Sequence, residues 1–297
     1  MQPIQRIHHI SAIVGHPQET ITFYRDILGL NLAKQTINFD DPNVYHLYFA
    51  DEDAKPGTVM TFFNWVNAHE GRIGSGQVGR IAFRVPKGSL GGWKKSLTEN
   101  LISVTESNLF NQPTLEFTDY HQLDLALVEG EETRSNDAIL CFHGSVLLSS
   151  NPDATTTTLV DDMGLKKVSS DEYAIHFETV GEARHHLVIP AVPMPMGRWG
   201  VGTVHHIAWS IPDDDAHKAW QDDFYTKGYG VTEIKERNYF KAIYLKEKGG
   251  IIFEYATDGP GFFVDESKEA AGQRLMLPEW YESQRAAIEA NLPPLKL

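Results

Sequence analysis

Three short stretches hold residue types that could do chemistry. "RIHHISAI", Arg6 to Ile13, and "TVHHIAWSI", Thr203 to Ile211, each carry a histidine doublet beside an alternating apolar run. "GGIIFE", Gly249 to Glu254, ends an apolar strand on one carboxylate. With Ile252 and Phe253 beside it, Glu254 is expected to be buried, and a buried anion is costly unless a cation or a proton balances it. Two neutral imidazoles and one carboxylate make a 2-His-1-carboxylate face, which holds a divalent metal and leaves positions open for substrate and oxygen. On this ground His9, His206 and Glu254 are the candidate metal ligands.

These residues need elements to bring them together. The chain reads as one unit written four times: a short apolar strand, a turn, an amphipathic segment ending near glycine, then further strands. In module 1 (1–70), "IHHISAIV" alternates like a strand. "HPQETITFYRDILGL" follows with Pro17 early, Ile21, Tyr24 and Leu28 on one helical face, and a stop at Gly29. "VYHLYFA" and "GTVMTFFNW" form a hairpin about "DEDAKPG". Module 2 (71–135) opens on "GRIAFRV", module 3 (136–192) on "LCFHGSVLL" and module 4 (201–260) on "VHHIAWSI". Residues 193–200 read as a connector, and 261–297 as a helical tail broken at Pro278. The fold class is α+β, four βαβββ modules forming two cup-like curved sheets, with a ligand pocket on a concave face.

Equivalent positions in the repeat sharpen the choice. Seven positions lead from His9 to His16 and from His206 to Asp213, each at a helix start, so the second histidine of each doublet occupies the same place. Module 3 offers Gly144 there, with His143 matching the first histidine, and module 2 offers Arg80 and Ile81. Glu254 aligns with Thr61 of module 1 and lies near the slot of Ala126 in module 2. Three ligands of one ion must share a cup, so module 1 pairs with module 4 and module 2 with module 3. Strand alternation sends His8 and His205 to the face opposite their neighbours, which makes them supporting residues or ordinary strand-start histidines. Arg237 and Tyr244 are unremarkable by spacing alone.

Composition excludes several classes. A formal charge of -14 without a segregated basic patch argues against nucleic acid. No apolar run is long enough for a membrane span, and "MQPIQRIHHI" lacks the features of a signal peptide. The single cysteine, Cys141, is read as core packing and suits a reducing cytoplasm. "GSGQVG" leads into a strand and not a helix, so it is a loop and not a dinucleotide cradle.

The repeated modules with a His, His, Glu set resemble the vicinal oxygen chelate superfamily of glyoxalases, bleomycin resistance proteins and extradiol dioxygenases. Within it, "HHISAI", "VHHIAW" and "ERNYFKAIYLKEKGGIIFEY" look like the ring-cleaving dioxygenases that open hydroquinones, the methylhydroquinone-inducible and chlorohydroquinone 1,2-dioxygenases. The likeness is strong in modules 1 and 4 and present in outline in the middle two. It implies Fe(II) on His9, His206 and Glu254, with another divalent metal such as Zn or Mn as the alternative in the purified protein, a small aromatic substrate and O2. It also implies catalytic roles for His205, His8, Tyr244 and Arg237, and substrate binding by Ser11, Arg237 and Tyr244. The family often has threonine where this chain has Ser11, and the hydroxyl is kept. A homo-oligomer is compatible with the sequence. Two other readings fit the scaffold: a glyoxalase-type isomerase or lyase, which would want a fourth protein ligand where Thr61 is a poor donor, and a non-catalytic quinone- or drug-binding protein.

Overall fold

The alternating stretches become strands, and the units repeat as the sequence implies. The computed structural model describes residues 1–297. Module 1 forms β1 (Ile7–Val14), β2 (Asn31–Asn38), β3 (Asp41–Ala50) and β4 (Val59–Asn64). Module 2 forms β5 (Gln77–Val85), β6 (Thr105–Ser107), β7 (Thr114–Thr118) and β8 (Asp124–Glu129). Module 3 supplies β9 (Cys141–Leu148), β10 (Lys166–Ser170), β11 (Ala174–Glu178) and β12 (His186–Pro190). Module 4 supplies β13 (Thr203–Ile211), β14 (Lys235–Glu236), β15 (Phe240–Lys246) and β16 (Ile252–Pro260). The helices α1 (Pro17–Ile21), α2 (Leu90–Glu99), α3 (Pro152–Thr157) and α4 (Asp214–Thr226) each follow the first strand of a unit.

Two eight-stranded sheets result, one ordered β14-β15-β16-β13-β1-β4-β3-β2 and the other β10-β11-β12-β9-β5-β8-β7-β6. Modules 1 and 4 thus share one sheet and modules 2 and 3 the other, joined at the antiparallel pairs β1 with β13 and β5 with β9. Every residue of β1 is buried, because one of its faces meets the apolar core and the other lines the cup. Ile10, Ile81, Phe142 and Ile207 belong to one continuous core, so the two cups are packed as a single body. No helix is long and apolar enough to cross a membrane.

The helix of module 1 departs from a regular α-helix. His16 accepts a hydrogen bond from the Gln18 amide at its start, and after Ile21 the turns widen to π geometry over Thr22–Ile27 before Gly29 ends it. The wider turn lets the adjacent Phe23 and Tyr24 both face inward and be buried. Module 3 repeats the device at Thr158–Asp162.

The tail also differs from expectation. Both of its α-helices, α5 (Glu279–Glu282) and α6 (Arg285–Asn291), come after Pro278, and the stretch before it holds only a short 3-10 turn at Lys268–Ala270. The cause is a close approach: Gly272 has φ +72°, and a Cβ there would lie 1.9 Å from the Leu32 carbonyl oxygen. This segment runs as a strap against β2, where the fully buried Lys34 ammonium meets Asp265 at 2.7 Å and Glu266 at 2.5 Å. The connector pairs with residues entering β5, Arg72 and Arg198 exchanging backbone hydrogen bonds of 2.8 Å.

The second cup has no ligand set. By ladder register its counterparts of His9, His206 and Glu254 are Arg80, Gly144 and Val188. Gly144 is obligatory, since a Cβ would fall 1.8 Å from the His186 carbonyl oxygen on β12. Arg80 is paired with Glu116 at 2.7 Å, and Phe110 packs with Ala82, Ala126, Val128 and Val188 to fill that cup.

Candidate metal centre

Glu254 on β16, His206 on β13 and His9 on β1 occupy three consecutive strands of the first sheet. Their ligand atoms lie within 4.8 Å of one another. The Glu254 Oε2 is 2.7 Å from His206 Nε2 and 3.4 Å from His9 Nε2, and the two Nε2 atoms are 3.3 Å apart. Glu254 is completely buried, and neither of its carboxylate oxygens has a partner in hydrogen-bond geometry. Burial opposes its ionisation, but the imidazoles of His9 and His206 outweigh that and hold the carboxyl well below the usual range. Three converging lone-pair donors, one of them a buried anion, fit a divalent cation.

The first histidines of the doublets are positioned by a feature that alternation could not reveal. The register of β1 against β13 runs Ile7 with Trp209 and then His9 with Ala208, and later Ser11 with His206 and then Ala12 with Val204. A β-bulge therefore falls at His8 and another at His205, and each lets adjacent side chains meet instead of parting. His8 Nδ1 lies 2.9 Å from His9 Nδ1, and His205 Nδ1 lies 2.7 Å from His206 Nδ1. The expectation of opposite faces is corrected here, while a supporting place beside the candidate ligands is what the geometry provides. Burial pushes both His8 and His205 down to about 3, so each is a neutral acceptor. If Nε2 of His9 and of His206 offers a lone pair to a metal, Nδ1 carries the proton and donates it to the neighbouring imidazole. His8 is sealed against Phe240, whereas His205 is partly exposed between Phe63 and Trp199.

Tyr244 is the cross-strand partner of Glu254, a relation that counting residues through the turn did not establish. Arg237 Nε donates to the Tyr244 oxygen at 3.2 Å, and its Nη2 donates to Asp40 at 3.0 Å. Burial, then the nearby Glu254, raises the Tyr244 phenol well above its ordinary value, so it is protonated. Ser11 is fully buried, its Oγ 2.6 Å from Thr61 Oγ1. A cavity of about 30 Å³ brings these groups together, lined by the candidate ligands, Ser11, Arg237 and Tyr244. His46, Tyr48, Phe63 and Phe240, which the sequence reading passed over, line it too. The alternation of "VYHLYFA" puts His46 and Tyr48 on one face, and that was the available signal. Larger clefts of about 650 and 790 Å³ lie elsewhere and include none of the three candidate ligands.

The Glyoxalase/Bleomycin resistance protein/Dioxygenase superfamily matches over residues 6–104. The chain is 46% identical to a protein of Bacillus subtilis named ring-cleaving dioxygenase MhqO, covering 98% of this chain and 96% of that one. It is 30% identical to the chlorohydroquinone/hydroquinone 1,2-dioxygenase of Sphingobium indicum, over 92% of this chain and 91% of the relative. A crystal structure of a Bacillus subtilis protein named as a dioxygenase superposes with a TM-score of 0.96 at 44% identity, covering 100% of this chain and 99% of the other. With its paired βαβββ modules and full-length relatives, the chain belongs to the Glyoxalase/Bleomycin resistance protein/Dioxygenase superfamily and, within it, to the ring-cleaving dioxygenases.

Proposed function

We propose that this dioxygenase is an Fe(II)-dependent, extradiol-type enzyme that opens hydroquinone-like aromatic rings with O2, its metal held by His9, His206 and Glu254. The observation that carries the reading is the buried Glu254 carboxylate, unpartnered and facing two imidazole nitrogens in a cavity walled by phenol, guanidinium and hydroxyl groups. The named substrates of the Sphingobium relative support the choice of ring. In this reading modules 1 and 4 (1–70 and 201–260) carry the chemistry and the second cup (71–135 and 136–192) supports them, in a protein of the reducing cytoplasm.

Iron(II) at that site would acidify a ligating ring hydroxyl and bring ring and oxygen to one centre. The chain's own groups do the rest. Arg237 donates to the Tyr244 oxygen, so the phenol keeps its own hydrogen, which can go to Glu254 or to a ring oxygen, and the guanidinium charge favours the anionic form of that ring oxygen. His8 and His205 fix the tautomers of His9 and His206. Solvent reaches His205 and not His8, so proton exchange with bulk water falls to His205. Phe63 and Phe240 supply apolar walls for the ring.

The test is anaerobic reconstitution with Fe(II), metal analysis, and oxygen uptake with methylhydroquinone. One oxygen consumed per ring opened is expected. A fully iron-loaded protein that consumes no oxygen with any hydroquinone would refute the proposal, and full iron retention by His206→Ala would refute the ligand assignment.

A further inference from the structure

The cavity wall opposite Arg237 and Tyr244 is built on a row of register partners: Ser11 on β1, Thr61 on β4 and Tyr48 on β3 stand side by side across three strands. His46, two residues before Tyr48, closes the row into a chain. Tyr48 Oη is 2.9 Å from His46 Nδ1, His46 Nε2 is 2.9 Å from Thr61 Oγ1, and Thr61 Oγ1 is 2.6 Å from Ser11 Oγ. The imidazole is locked between aromatic rings, its centroid 4.2 Å from Tyr48 and 4.3 Å from Phe63. No carboxylate hydrogen-bonds to it, and burial keeps it neutral.

A neutral imidazole has one N–H and one lone pair, so the links through it share one direction, set by which ring nitrogen carries the proton. With Tyr48 as the donor to His46 Nδ1, the chain runs toward β1; with the imidazole proton on Nδ1 it runs the other way and ends at Tyr48. The first direction is the one taken here. The imidazole proton is then on Nε2 and goes to Thr61, and the Thr61 hydrogen goes to Ser11. Ser11 is the end of the chain, with its own hydrogen left to donate into the cavity it lines. Bonds aligned in one direction polarise one another, which makes that last donor stronger than an isolated serine.

We propose that His46 is a positioning residue which, through Thr61, holds Ser11 as a hydrogen-bond donor to an oxygen of the aromatic substrate. The site then takes a ring bearing two oxygens, one for the metal and one turned toward β1, and a monophenol gains nothing from this wall. The inference rests on the ring-cleavage reading given above.

The test has a binding arm and a tautomer arm. Hydroquinone and phenol are titrated, without oxygen, into Fe(II)-loaded wild type, His46→Leu, His46→Gln, Thr61→Val, Ser11→Ala and the Ser11→Ala/His46→Leu pair, with metal content checked for each. His46→Leu, Thr61→Val and Ser11→Ala should each weaken hydroquinone binding about fivefold, the worth of one neutral hydrogen bond, and leave phenol binding unchanged. The double variant should be no worse than Ser11→Ala, and His46→Gln, whose amide can still donate to Thr61, should recover the loss. Equal losses for phenol and hydroquinone, or additive losses in the double variant, would overturn the proposal. Long-range proton–nitrogen NMR on the zinc form should find His46 protonated on Nε2, and a proton on Nδ1 overturns the relay itself. Wild type that binds no hydroquinone sinks the ring-cleavage reading and the substrate assigned to Ser11, while an Nε2 proton in that case still upholds the direction of the chain.

Discussion

Replacing His205 by phenylalanine isolates what the partner imidazole contributes to metal binding. His206 is 3% exposed, and its Nδ1 has the His205 Nδ1 at 2.7 Å. Without that acceptor the protein has two choices. His206 can keep its proton on Nδ1, buried and unpartnered, at a cost of about 1–3 kcal/mol. Alternatively it can move the proton to Nε2 and lose the lone pair that faces Glu254. The metal-free protein escapes the cost by the second route, but the metal-bound protein cannot, so the whole penalty falls on metal affinity. At 1.36 kcal/mol per factor of ten, affinity should drop about 5- to 150-fold. Competition against a fluorescent chelator reads the constant, and urea unfolding of the metal-free protein should be nearly unchanged. His205→Asn, whose carbonyl oxygen can accept, should recover much of the loss. Wild-type affinity in His205→Phe would refute the tautomer argument.

Other perturbations test the scaffold. Lys34→Met leaves Glu266 buried without its cation and should cost about 3–5 kcal/mol in urea unfolding, while adding Glu266→Gln should return most of it; additive losses would contradict the pairing. Gly144→Ala should lose at least about 1–3 kcal/mol with metal content unchanged, and an unaltered melting temperature would contradict the close β9–β12 approach. Stability of the metal-free protein should fall with acidification. Burial holds His8, His185 and His205 at about 3 and His143 at about 2 in the folded state, while each returns to about 6.5 when unfolded. Below pH 6.5 the unfolded chain therefore takes up protons that the folded one refuses, and the urea midpoint should be lower at pH 5 than at pH 7. His185→Asn should flatten that slope, and a midpoint independent of pH would show that these imidazoles are not buried as described.

The repeat spacing singled out His9, His206 and Glu254 as candidates, and the module pairing was legible from them because one ion cannot be shared across two cups. What stayed hidden depends on register. A period of two residues says where His8 and His205 would point on regular strands, but a bulge adds one residue and changes the answer. The chain from Tyr48 to Ser11 joins residues up to 50 positions apart, and only the alignment of β1, β4 and β3 puts them in a row. The tail misled for a different reason: "ESKEAAGQRLML" has helical composition, but the bonds of the strap to β2 win over local preference.

The order of strands also sets an order of events. His9 and His206 are 197 residues apart in sequence, and Glu254 comes later still. The second cup is drawn from one unbroken stretch, 77–190, whose strands can pair as soon as that stretch has left the ribosome. The first cup must hold β1 to β4 in waiting until β13 and β16 have been made, a long loop to close and a slow contact to form. The three candidate ligands can therefore be joined only after β16 has been made.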